Sequence, residues 1–335
     1  MKKINLLLAL FTLATVAYAT KFISASIVDK DYIMLYFKDG DVVFNEGDIQ
    51  VTGCLLNYTC DDPRINNLVL YGELMNTTDA VIAGKWKITS NDDTDFEAPG
   101  IIPDTVYRKS KLCGMAQKNF NDVLGDFNFD WAYEHTLFLK LPQSLKPDKS
   151  YTIHIPDINV VDDVTETTLT FDIFNSRSEA VKVNIVGYST ANTVKAADVY
   201  IWMGNGGRRD YASFVGKKIY IYNTDTKEIH ETGKTIALWR GINGETRNGH
   251  QMMQSYVWRA DFTGFNSAGN YRLVVEDIGC SDDFTISDNI YYEPFKVSTQ
   301  GFYYMRIGEA NTSITPATRR PLYIPGSSPS NCISI

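Results

Sequence analysis

At roughly 150 residues per domain, 335 residues leave room for about two domains; 44% hydrophobic, 21% charged and 13% aromatic residues argue against wholesale disorder and a low-complexity scaffold. The balance of 32 Lys and Arg against 40 Asp and Glu gives −8, a charge that repels polyanions and argues against nucleic acid or an acidic membrane as main partner. The four histidines, His135, His154, His230 and His250, include no pair at metal-ligand spacing, so neither a metal nor a cofactor is expected.

Lys2 and Lys3 precede an apolar run over residues 4–16, and Ala17-Tyr18-Ala19 supplies the small residues a signal peptidase needs. Residues 1–19 therefore read as a secretory signal and the chain as secreted, since the run is short for spanning ~30 Å of hydrocarbon. In an oxidising compartment the five cysteines, Cys54, Cys60, Cys113, Cys280 and Cys332, are expected to pair with one left over. Cys54 with Cys60 is the first pairing to consider and Cys54 with Cys113 nearly as good; sequence alone does not decide between them. Asn57, Asn76 and Asn311 head sequons that matter only in a eukaryotic host.

From residue 22 onward, short runs rich in Ile, Val, Tyr and Phe alternate with Asp, Asn and Gly, which predicts strands over 22–28, 32–37, 67–71, 81–88, 136–141, 151–155 and 168–174. In 136–141, Leu137, Leu139 and Leu141 share one face, expected to be core, and Phe138 and Lys140 the other, expected to be mostly surface. Leu145 to Tyr151 has the spacing of a tyrosine corner, in which the hydroxyl bonds backbone upstream. Residues 20–175 thus read as one β-sandwich with a polar insertion over 91–128.

The polar stretch 175–179 reads as a linker. Beyond it, runs at 181–187, 198–203, 218–223, 235–240, 256–262, 270–276 and 283–287 predict seven strands, the count of an immunoglobulin-like sandwich, with a second corner at Tyr271. Residues 291–310 lose the strand texture, and Phe295, Phe302, Met305 and Ile307 line one helical face behind Pro294. Residues 316–335 read as loop.

No chemistry stands out. The turn Gly204-Asn205-Gly206-Gly207-Arg208-Arg209 has strands on both sides and no helix to present an anion-binding N-terminus, so an ordinary turn is expected. Asp92, Asp93, Asp95 and Glu97 lack the glycine of a calcium loop and read as solvated. The pairs Asp61-Asp62, Asp162-Asp163 and Asp282-Asp283 are sequence neighbours, which point to opposite faces of a strand, so they do not form a glycosidase acid and base. No nucleophile motif is present, and no catalytic residue is assigned. Of the five tryptophans, Trp202 and Trp258 sit inside predicted strands and are expected in the core; Trp131 and Trp239 remain weak candidates for a sugar-stacking surface.

Residues 180–310 resemble the N-terminal immunoglobulin-like module of family nine glycoside hydrolases, the cellulase and endoglucanase family. The likeness rests on Val183-Asn184-Ile185-Val186-Gly187-Tyr188, on Ala260-Asp261-Phe262 with Gly269-Asn270-Tyr271-Arg272-Leu273, and on Phe302-Tyr303-Tyr304-Met305-Arg306-Ile307-Gly308. The turn from Trp202 to Tyr211 is also similar to one found in several members. Ile185 and Met305 depart from the usual family residues.

The resemblance implies an all-β forepart: a signal at 1–19, sandwiches over 20–175 and 180–288, and over 289–335 a helical and loop remnant of an (α/α)6-barrel catalytic domain. It implies a parent that hydrolyses β-1,4-glucans with inversion, but neither the Asp-Ala-Gly-Asp motif nor the family's acid glutamate is found. The expected reading is a non-catalytic module, ending just inside the barrel, whose partner is the catalytic domain. Its rival is a stand-alone secreted protein that binds polysaccharide or acts in adhesion.

Overall fold

The computed structural model describes residues 20–44, 68–71, 74–121, 123, 125–160, 164–242, 246–252 and 254–305. Their architecture is all-β apart from short helical turns, a four-residue helix α1 (Thr77–Ala80) and a longer helix α2 (Tyr292–Met305). The first unit holds β1 (Lys21–Asp29), β2 (Tyr32–Lys38), β3 (Asp41–Phe44), β4 (Leu68–Tyr71), β5 (Lys87–Thr89), β6 (Thr105–Asn121), β7 (Asp126–Lys140), β8 (Ser150–His154) and β9 (Glu166–Thr170). A four-stranded sheet in the order β1-β2-β7-β6 packs on a three-stranded sheet β5-β8-β9, while β3 and β4 pair with each other. Part of the expected polar insertion is instead the long β6–β7 hairpin: its two strands run antiparallel from Thr105↔Lys140 to Asn121↔Asp126. Its polar residues are carried by a two-stranded extension, where little apolar alternation is needed.

Between the two sheets lie Ile33, Leu35, Phe37, Leu137 and Leu139 from one side and Ile88, Tyr151 and Ile153 from the other. The Tyr151 corner forms: its hydroxyl accepts from the Lys146 backbone N–H at 2.8 Å and donates to Asp93 at 2.8 Å. Asp93 is therefore buried rather than solvated, and it also takes the Lys146 ammonium at 2.7 Å. A buried carboxylate without such partners would carry a large desolvation cost.

The second unit holds β10 (Val181–Lys182), β11 (Ala196–Val199), β12 (Lys218–Asn223), β13 (Ile229–Thr235), β14 (Ala237–Arg240), β15 (Thr246–Arg247), β16 (His250–Gln251), β17 (Val257–Asp261), β18 (Gly269–Val275), β19 (Gly279–Cys280) and β20 (Phe284–Ile286). A β10-β11-β17-β14 sheet faces a β13-β12-β18-β19 sheet to which β20 is added through β18; β15 and β16 form a separate pair. The core between the two sheets gathers Val199, Trp258 and Ala260 against Ile219, Ile221, Leu273 and Phe284. The strand expected over 181–187 stops after Lys182. Gly187 lies at φ +105°, where a Cβ would stand 2.3 Å from the Thr285 carbonyl oxygen, so the motif turns; Tyr188 then donates to Ala196 O at 2.8 Å. The Tyr271 corner bonds upstream to Ala268 O at 3.3 Å.

The β1-β2-β7-β6 sheet is apolar on both faces. Ile27, Ile33, Leu35 and Leu137 point into the first core, whereas Val28, Tyr32, Met34 and Phe138 join the second unit's core. Phe138 is thus buried and not surface, because the second unit covers its face; this is why residues 32–37 form an unbroken apolar run. The stretch 175–179 is likewise packed between the units. Ser178 Oγ donates to Val28 O, the Ser178 N–H to Cys280 O, and Arg177 pairs with both Glu179 and Asp282.

Glu179 gives this joint an acid sensitivity. Burial alone would raise its carboxyl, but hydrogen bonds from Lys182 Nζ at 2.8 Å and Arg177 Nη1 at 2.6 Å outweigh that and bring it down to about 2. A native pKa below the ordinary 4.5 means stability fully present above pH 4.5 and lost as pH falls toward about 2. Glu179→Gln is expected to flatten the acid limb of the urea midpoint across that window; an unchanged slope would show that the carboxylate is unpaired in solution.

Candidate functional site

The second unit carries an open groove of about 580 Å³ on the solvent-facing side of its β11-β17-β14 sheet, lined by Asp198, Tyr200, Trp202, Trp239, Arg240, Ser255, Val257 and Arg259. Strand periodicity assembles it. Ala197, Val199, Ile201 and Met203 point inward and are buried, so the intervening Asp198, Tyr200 and Trp202 project outward. On β17, Trp258 and Ala260 enter the core and Val257 and Arg259 take the outer face, in register with β14 at Arg240↔Val257 and with β11 at Asp198↔Arg259.

Trp239 reaches the groove through an irregularity. The β14–β17 register shifts between Leu238 and Arg240, leaving Trp239 as the extra residue, and such bulges re-aim a side chain. The Arg259 guanidinium lies 3.6 Å from the centroid of the Trp239 ring and donates to Asp198 at 3.1 Å, which holds ring, cation and carboxylate in one fixed cluster. Tyr200, Trp202 and Trp239 remain 38%, 42% and 50% exposed, against 2% for Trp258. Trp258 is therefore core as expected and Trp202 is not. The signal was available, because Trp202 shares its parity with Asp198 and not with Val199.

The other sequence candidates fall elsewhere. Trp131 is exposed on β7, tilted against Phe129 at 5.6 Å, and does not line the groove. Cys54 and Cys60 lie outside the described residues; Cys113 is exposed on β6. Cys280 is a buried thiol, its pKa pushed up to about 12 by desolvation. Asp282 pairs with Arg177 and Asp283 with Arg272, so both carboxylates serve as structural ion-pair partners; Asp61-Asp62 and Asp162-Asp163 lie outside the described residues. A relay not foreseen from sequence joins Ser110 Oγ to His135 Nδ1 at 2.8 Å and His135 Nε2 to Asp39 at 2.8 Å. Asp39 also accepts the Met75 N–H and Ser110 accepts from Arg108, so the relay ties β2, β6 and β7 to residue 75.

Residues 204–207 form a turn between bridged extended segments, as expected. It docks on β6: a Cβ on Gly204 would stand 2.1 Å from Arg108 O, one on Gly206 2.5 Å from the Tyr107 ring, and Asn205 Oδ1 accepts the Arg108 N–H at 2.7 Å. Beside it Arg209 binds the buried Asp29 at 2.8 Å and Asp31 at 2.8 Å, with its guanidinium 4.7 Å from the Tyr32 ring centroid. The groove is thereby held on a unit fixed to its neighbour.

Two facing sheets with a tyrosine corner make the second unit a β-sandwich that carries an outward-facing aromatic groove. Residues 176–280 match the family model described as the cellulase N-terminal ig-like domain, so the likeness carried by the motifs within that segment is real. Endoglucanase D of Acetivibrio thermocellus is 40% identical over 52 residues, which are 16% of this chain and 8% of that protein. The chain thus spans under a tenth of that relative's length. Among solved structures, a metagenome-derived glycoside hydrolase family 9 endoglucanase is similar at 23% identity over 42% of this chain and 24% of that one, with a TM-score of 0.31. A Bacteroides ovatus family 9 protein is similar at 18% identity over 42% and 22%, with a TM-score of 0.30.

Proposed function

We propose that the chain is a secreted, non-catalytic forepart of a β-1,4-glucan hydrolase, with two immunoglobulin-like units over 20–175 and 180–288 that support a catalytic domain reached through α2. The observation that carries this reading is the cellulase N-terminal ig-like match over residues 176–280. The physical basis for a supporting role is the joint between units: one apolar core continues across it, closed by the Arg209 ion pairs and the 204–207 turn. A module so braced presents a fixed surface to a neighbouring domain. Asp29, Asp93, Glu179, Asp282 and Asp283 are held in structural ion pairs and a tyrosine corner.

The purified full chain is expected to release no reducing ends from carboxymethylcellulose or β-glucan. Turnover that co-purifies with the chain through successive columns and disappears on its removal would overturn the reading.

A further inference from the structure

We infer that the groove on the β11-β17-β14 face is a binding site for an uncharged pyranose oligosaccharide. The inference goes beyond the supporting role and stands independently of it. Three aromatic side chains, Tyr200, Trp202 and Trp239, expose ring surface in one groove of about 580 Å³, within the size range of small-molecule sites. An apolar ring flanked by polar groups suits a pyranose, whose C–H face stacks on an aromatic plane while its hydroxyls reach sideways.

The polar lining matches that need. Asp198 offers acceptor lone pairs, Arg240 and Arg259 offer donors in fixed forks, and Ser255 offers both, so hydroxyls that donate and accept find partners of each kind. The site is also preformed: the Arg259 guanidinium sits between Trp239 and Asp198, so neither ring nor fork needs ordering on binding. Val257 provides a small apolar floor at the register position opposite Arg240. Arg259 is already paired with Asp198 within the lining, so hydroxyl hydrogen bonds and ring stacking, rather than net charge, are what the groove offers a ligand.

The test titrates the full chain with soluble cellohexaose, mannohexaose, xylohexaose and, as the charged contrast, a trigalacturonate, read by calorimetry and tryptophan fluorescence. At least one neutral hexaose is expected to bind at sub-millimolar to millimolar concentration and to perturb the fluorescence. Trp239→Ala and Trp202→Ala are each expected to weaken it about tenfold, the loss of one stacking plane, with the melting temperature nearly unchanged because both rings lie outside the core. Binding to no neutral hexaose at millimolar concentration overturns the inference, as does binding indifferent to both variants or a preference for the galacturonate. Self-association that both variants abolish, without any sugar response, would overturn it too and make the face a protein contact.

Discussion

Arg209→Met is expected to lower the stability of the chain by about 3–5 kcal/mol, the cost of leaving a buried charge without its partner. Asp29 has no exposed surface, and Arg209 reaches it through Nε at 2.8 Å and Nη2 at 3.3 Å while also binding Asp31. Burial pushes the Asp29 carboxyl up from its ordinary range even with Arg209 beside it, so the carboxylate depends on that cation. The methionine removes the charge together with the guanidinium contacts to the Tyr32, Tyr211 and Phe214 rings. The double variant Asp29→Asn with Arg209→Met is expected to recover part of the loss, because a neutral amide is far cheaper to bury. Equilibrium unfolding in urea measures both. A loss below about 1 kcal/mol, the value of a solvated pair, would show that the joint between units is open in solution.

Gly204→Ala is expected to destabilise the chain by about 2–4 kcal/mol, combining left-handed backbone strain with overpacking. The residue sits at φ +62°, and its Cβ would lie 2.1 Å from Arg108 O and 2.6 Å from Lys109 Cα. Those are main-chain atoms of β6 and cannot swing aside as a side chain would. The turn would have to withdraw, releasing the Asn205 hydrogen bond to Arg108 and the seat of Gly206 on the Tyr107 ring. Gly233→Ala supplies the control: φ is +69° there, but nothing lies within 4 Å, so only the strain of about 1–2 kcal/mol is expected. Equal losses in the two variants would mean that 204–207 is a free turn. Thermal unfolding should also separate into two steps in Gly204→Ala if the joint is what couples the units.

Much of the second unit is legible as alternation; Tyr151 announces its corner by spacing from Leu145, and Tyr271 by opening an alternating strand with Leu273 and Val275. β13 carries no strand signal in the sequence, because Ile229–Thr235 holds one large aliphatic residue and alternates only between exposed and half-exposed positions. A strand at the end of its sheet order needs little apolar patterning. The run over 181–187 misled in the opposite direction: its Val and Ile content suggests a strand, yet Ile185 and Val186 are exposed in a turn required by the close approach of Gly187 to Thr285. The candidate site was half visible. Trp239 is a candidate from sequence, whereas Trp202, expected in the core for lying within a strand, shares the parity of Asp198 and so takes the outer face.

By itself the sequence determined the all-β class, the alternation of 136–141, the two corners and the motif likeness of the second unit, because these depend on period and spacing along the chain. Tertiary structure alone decided what covers each face. A two-residue period separates Leu137 from Phe138 but cannot say that a second unit buries Phe138, nor that a glycine turn a hundred residues away rests on Tyr107. The groove follows the same logic, since its tryptophans meet only through strand register and the bulge at Trp239, contacts between segments distant in sequence that no local pattern encodes.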